Sequence, residues 1–181
     1  MCEGFSLDDV LALDAARIAE YGFMIVGVEG PEGDNDHPPP WAYTVGLLDA
    51  VGHPEMIIAG ASSDTSGPLL SSLARSALAG ERFEVGETIN VGRGAARVGA
   101  VNPVQYELDT FNMWHNLQRH GTLRTSELEA VQIVLPSAFF CSFHRLEQPL
   151  LNDAGARVDR LRPPPNRAER RRRPPRRRPA R

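Results

Sequence analysis

Trp41-Ala-Tyr-Thr-Val-Gly-Leu47, followed after a short polar break by Gly52-His-Pro-Glu-Met-Ile-Ile-Ala-Gly60, decides the fold. Both segments carry β-branched and aromatic residues in runs of strand length, and the interval from Asp49 to Pro54 holds the Gly and Pro of a reversal. They read as a hairpin. Strand alternation sends Trp41, Tyr43, Val45 and Leu47 to one face and Ala42, Thr44, Gly46 and Leu48 to the other. One face is therefore bulky and the other small, and the small face admits close approach by a helix or by a ligand.

Working outward, Ser6-Leu-Asp-Asp9 has the form of a capping box, and Leu7, Val10, Leu11 and Ile18 follow on one stripe of a helix that stops at Tyr21-Gly22. Phe23 to Glu29 reads as a strand. Residues 30–40, with two Gly and four Pro, read as an irregular loop. Beyond the hairpin, Ala61 to Pro68 is rich in capping groups and leads into Leu69, Leu70, Leu73, Ala74, Ala77 and Leu78, a second helix that closes at Gly80. Residues 82–85, 88–91 and 95–101 read as short strands of a meander. Asn102-Pro103 opens a third helix with Val104, Leu108, Phe111 and His115 on one stripe, running to Gly121. Residues 129–135 read as a strand and 139–143 as a further one. The expected fold is α+β: a mainly antiparallel sheet, able to close as a barrel, with about three packed helices.

Composition sets the limits. The chain of 181 residues is 41% apolar, enough for one globular domain over residues 1–159. No apolar run approaches the roughly 20 residues of a membrane span, and the acidic start lacks a secretory pattern, so a cytoplasmic location is expected. Cys2 and Cys141 are read as free thiols. The net charge of −3 hides an asymmetry: residues 160–181 hold eleven Arg and one Glu, while residues 1–159 hold nine Arg and 22 acids. The chain contains no lysine. Lacking apolar residues to bury, the Arg- and Pro-rich stretch 160–181 is expected to be a disordered basic tail. Such a tail can neutralise nucleic-acid phosphates without reading sequence, or bind an acidic partner.

Few residues offer chemistry. His53 and Glu55 lie two apart, a spacing that lets an imidazole and a carboxylate share a face and exchange protons, or that simply fixes a bend around Pro54. They are the catalytic candidates. Trp41 and Tyr43 can stack on a flat ligand or form core. His115 continues a helix stripe, and His120 sits at that helix's end, facing the negative pole of its dipole. Cys141 and His144 have half of a zinc spacing with no second half, so no metal is expected. Neither a Walker loop, nor GxGxxG, nor GxSxG can be spelled.

Tyr43-Thr-Val-Gly-Leu47 followed by Gly52-His-Pro-Glu55 and an apolar strand resembles the bacterial family called Domain of Unknown Function 4262. Tyr21-Gly22-Phe23 after an amphipathic helix, the Leu-rich helix, Ala130-Val-Gln-Ile-Val134 and Gln148-Pro-Leu-Leu151 add to the likeness, which spans residues 1–151. Family members follow the Val-Gln strand with an Asp-Gly turn and an aromatic, Pro and Trp element; here Leu135 to His144 stands instead. The resemblance implies a fold and assigns no activity. Element order is also similar to flavin-binding split barrels. That likeness implies FMN on the small face, with Thr44 and the hydroxyls of Ser62, Ser63 and Thr65 as phosphate donors at a helix start; caps and a strand threonine are the plainer reading. The expected function is thus a small-molecule or partner-binding module, with a flavin-dependent oxidoreductase and a nonspecific nucleic-acid-associated protein as alternatives.

Overall fold

The computed structural model describes residues 6–29, 40–92, 94–107, 109–136 and 139. Helix α1 (Leu7–Tyr21) starts at the Ser6 capping box, with Asp9 returning to the Ser6 backbone, and ends at Gly22 in the left-handed region. Leu11 is buried, whereas Leu7, expected on the inner stripe, is exposed. Strands β1 (Met24–Val28) and β2 (Trp41–Val45) pair antiparallel. Between β2 and β3 (Glu55–Ala59), which also pair antiparallel, lies a five-residue helix, α2 (Leu47–Val51). The two halves of the expected hairpin are therefore neighbours, but a helical turn joins them, and Leu47 and Leu48 belong to it. Gly46 and Gly52, both at positive φ, bound that turn.

Helix α3 (Ser63–Leu78) begins five residues before Pro68 and contains it. Next come β4 (Thr88–Asn90) and β5 (Ala95–Ala100); residues 82–85, expected as a strand, join no ladder. The expected helix from 102 to 121 is broken into α4 (Val104–Glu107), a 3-10 turn (Asp109–Phe111) and α5 (Asn112–Arg119). The indole N–H of Trp41 donates to the Thr110 carbonyl at 3.1 Å. That carbonyl is drawn toward the sheet at the point where the helix breaks. Strand β6 (Ala130–Val134) ends the described order.

The sheet runs β1-β2-β3-β6-β5-β4. Four of its pairings are antiparallel, and β3 with β6 is parallel, Glu55 facing Ala130 and Ile57 facing Gln132. It is a mixed, open sheet with β1 and β4 at its margins, not a closed barrel, and among the described residues five helices rather than three accompany it. Each face carries its own core. On one, Ala42, Met56, Ile58, Val98 and Ile133 meet Leu70, Leu73, Ala74 and Ala77 of α3. On the other, Trp41, Tyr43, Val45 and Ile57 meet Phe111, Trp114 and Leu117 together with Leu11 of α1. The small face of β2 is thus occupied by a helix. The same closeness holds at β1, where a β-carbon on Gly27 would stand 2.5 Å from the Ser63 hydroxyl. Cys2, His37, Cys141, His144, most of 139–143, Gln148 to Leu151 and the basic stretch 160–181 lie outside the described residues.

Candidate functional site

Helix α2 is too short to stand alone, since its first turn leaves backbone N–H groups without partners inside it. Gly46 at its N-cap has no side chain to supply one. The next strand does so instead. Oε1 of Glu55 accepts from Gly46 N at 2.8 Å and Leu48 N at 3.3 Å, while Oε2 accepts from the Thr44 hydroxyl at 2.7 Å. Thr44 Oγ1 in turn accepts from Met56 N at 2.9 Å, so one hydroxyl ties both strands to the carboxyl group. Glu55 is fully buried, and burial outweighs these bonds: its pKa is pushed up to about 7.

His53 is buried as well. Phe83 N–H donates to Nε2 at 3.2 Å, which leaves the proton on Nδ1 to be donated to Pro54 O at 2.6 Å. Its ring meets Phe83 edge to face at 5.5 Å. Burial lowers its pKa, with Arg82 adding to the effect, so the neutral ring is the stable one. Both nitrogens are spent on backbone groups. The spacing of His53 and Glu55 thus places two ionisable groups next to α2, each engaged with the protein itself.

Two further polar anchors hold α2, and neither was foreseen in the sequence. Asp49 accepts from Arg124 N at 2.7 Å and Thr125 N at 2.8 Å, and also from the Thr125 hydroxyl and Arg124 Nε. Burial raises its pKa, but those bonds together outweigh that and leave it lowered. Arg82 donates to Gly52 O at 2.6 Å and Val51 O at 3.0 Å, closing the other end of the helix. The available signal was the pair of glycines, Gly46 and Gly52, bracketing five residues of mixed polarity.

Trp41 and Tyr43 sit in the second core. The Tyr43 hydroxyl accepts from Met113 N at 3.1 Å, its ring meets Phe111 edge to face at 5.1 Å, and burial drives its pKa up. At the start of α3, Ser63 N donates to Glu29 Oε1 at 2.9 Å, and the Ser62 hydroxyl bonds the Thr65 hydroxyl at 3.3 Å. A protein carboxylate therefore lies where a ligand phosphate would be expected. His115 Nε2 bonds the Tyr106 carbonyl at 3.1 Å, and exposed His120 caps α5. Among the described residues no group of three or more His, Cys, Asp or Glu is placed to hold a metal, and no helix is long and apolar enough to cross a membrane.

The family model described as "Domain of unknown function (DUF4262)" matches residues 17–139. No curated protein matches the sequence. Among solved structures, the putative SUFU (suppressor of fused protein) homolog from Neisseria gonorrhoeae FA 1090 is similar over 71% of this chain and 77% of that one, with 13% identity and a TM-score of 0.39.

Proposed function

We propose that this chain, which belongs to the family of the domain of unknown function DUF4262, is a module that binds a protein partner. The observation that carries this reading is the placement of exposed apolar side chains. Of the five large ones among the described residues, Leu7, Leu13 and Tyr21 all lie on α1. Exposed apolar surface concentrated on one element is a feature of interaction sites. The engagement of His53 and Glu55 supports the same reading, because proton transfer to a substrate needs a free nitrogen or oxygen within reach of it.

The test compares the wild-type chain with a Leu7→Asp, Leu13→Asp, Tyr21→Ser variant. Chemical cross-linking in native extract, read by mass spectrometry, is expected to give a defined partner with the wild type and none with the variant, both keeping the same thermal midpoint. A partner retained by the variant places recognition elsewhere. A thermal-shift screen that includes FMN decides the small-molecule alternative: yellow absorbance bound in stoichiometric amount, with a raised midpoint, would replace this proposal with the flavin one. A second reading rests on the eleven Arg in residues 160–181. Under it, the chain is retained on DNA or RNA at low salt, retention falls steeply with added salt, and removal of 160–181 abolishes it.

A further inference from the structure

We infer that α2 is a latch, closed while Glu55 is protonated and loosened when Glu55 ionises, and that it carries this change to the backbone at 82–83 and 124–125.

The geometry supplies the parts. Glu55 is fully buried, and its bonded partners are one hydroxyl and two backbone N–H groups, with no cation among them. The charged and titratable groups around it are committed elsewhere. On α2, Asp49 turns to Arg124 and Thr125. Arg82 is spent on the Val51 and Gly52 carbonyls, and His53 is held neutral between Pro54 and Phe83. Tyr43 directs its hydroxyl to Met113, in the core on one face of the sheet. Ahead of β6, Glu129 presents its carbonyl to Glu55 N. Among the described residues an ionised Glu55 therefore meets dipoles and no countercharge, which leaves much of its lost hydration uncompensated.

Protonation alters one bond of the set. A proton on Oε2 is donated to Thr44 Oγ1, which turns the Thr44 hydroxyl hydrogen away from Oε2, while Oε1 still accepts from Gly46 and Leu48. Ionisation in the closed form costs desolvation, and opening of α2 returns the carboxylate to water. Burial sets the closed-form pKa near 7, against the ordinary 4.5 regained on opening. The closed form thus binds the proton more tightly, and rising pH favours opening. The latch has mechanical reach because Asp49 and Arg82 bind the two neighbouring loops to the same five residues.

Amide hydrogen exchange on the full chain, corrected for intrinsic rates, tests this. The Gly46 and Leu48 amides are expected to be less protected than those at the centres of β3 and β6. Their opening constant should rise about tenfold between pH 6 and pH 8, a change that Glu55→Gln removes. Equal protection of the latch and the sheet centre would mean that α2 opens only with the whole fold, and would overturn the inference; so would an unchanged pH dependence in the variant. Where the variant fails to fold, the wild-type Glu55 carboxyl carbon signal decides: a midpoint near 7 supports the latch, and one in the usual carboxylate range refutes it.

Discussion

A β-carbon on Gly46 would meet the Gly22 carbonyl oxygen and Ile18 Cγ2 at 3.0 Å each, and the backbone there has φ 113°. Neither neighbour is free to yield, because one is backbone at the end of α1 and the other is packed beside it. Gly46→Ala is therefore expected to lower stability by roughly 2–3 kcal/mol in a urea titration. Glu55 makes a different prediction. Between roughly pH 4.5 and 7 the folded chain holds a proton that the unfolded chain has released, so stability falls as pH rises through that window, by at most about 3 kcal/mol. His53, whose pKa burial lowers, tilts the profile the other way by losing stability as pH falls below its unfolded value. The readout is therefore wild type minus Glu55→Gln, which isolates the carboxyl group. Positions 53 and 55 were singled out in the sequence by their types and spacing, as a proton-exchanging pair or as the fixing of a bend. Their engagement with Phe83, Pro54, Gly46 and Leu48 was not, since a hydrogen bond to a backbone group leaves no mark in the side-chain sequence.

At the level of elements, α1 and α3 could be read because each combines a capping signal with apolar residues at helical period over four turns. Helix α2 could not, because five residues are too few to show a period and its cap comes from another strand. The helix expected over 102–121 failed for a tertiary reason: Trp41, some seventy positions earlier, takes the Thr110 carbonyl, and Gln105 binds the Thr110 hydroxyl at 2.7 Å. Asp49 is one of the anchors of α2. Asp49→Ala removes its bonds to Arg124 and Thr125 and is expected to cost roughly 1–3 kcal/mol by urea titration. Because those bonds hold the Asp49 pKa below its ordinary value, the wild type should lose this advantage as pH falls through the folded pKa, leaving the two proteins closer in stability in acid than at pH 7.

For the molecule as a whole, most strands were legible in the sequence, 82–85 being read as one that is not, but their order was not. Alternation and turn residues specify neighbours joined by short links, and two such pairings, β2 with β3 and β4 with β5, are present; β1 pairs with β2 across a longer connection. The parallel pairing of β3 with β6 joins segments some seventy residues apart, and no local pattern encodes it. Ile57 lies on that seam, fully buried between Tyr43 and Gln132, and Ile57→Ala is expected to cost about 3 kcal/mol in equilibrium unfolding. The strand order β1-β2-β3-β6-β5-β4 consists of two consecutive three-stranded ribbons laid side by side. The ribbon before Gly80 and the ribbon after Glu81 are joined by the β3–β6 ladder, and a nick between those two residues lies outside every strand. Fragments 1–80 and 81–181, produced separately and mixed, should reassemble into a native complex detectable by recovered Trp fluorescence, which would make the protein a ready source of complementing halves.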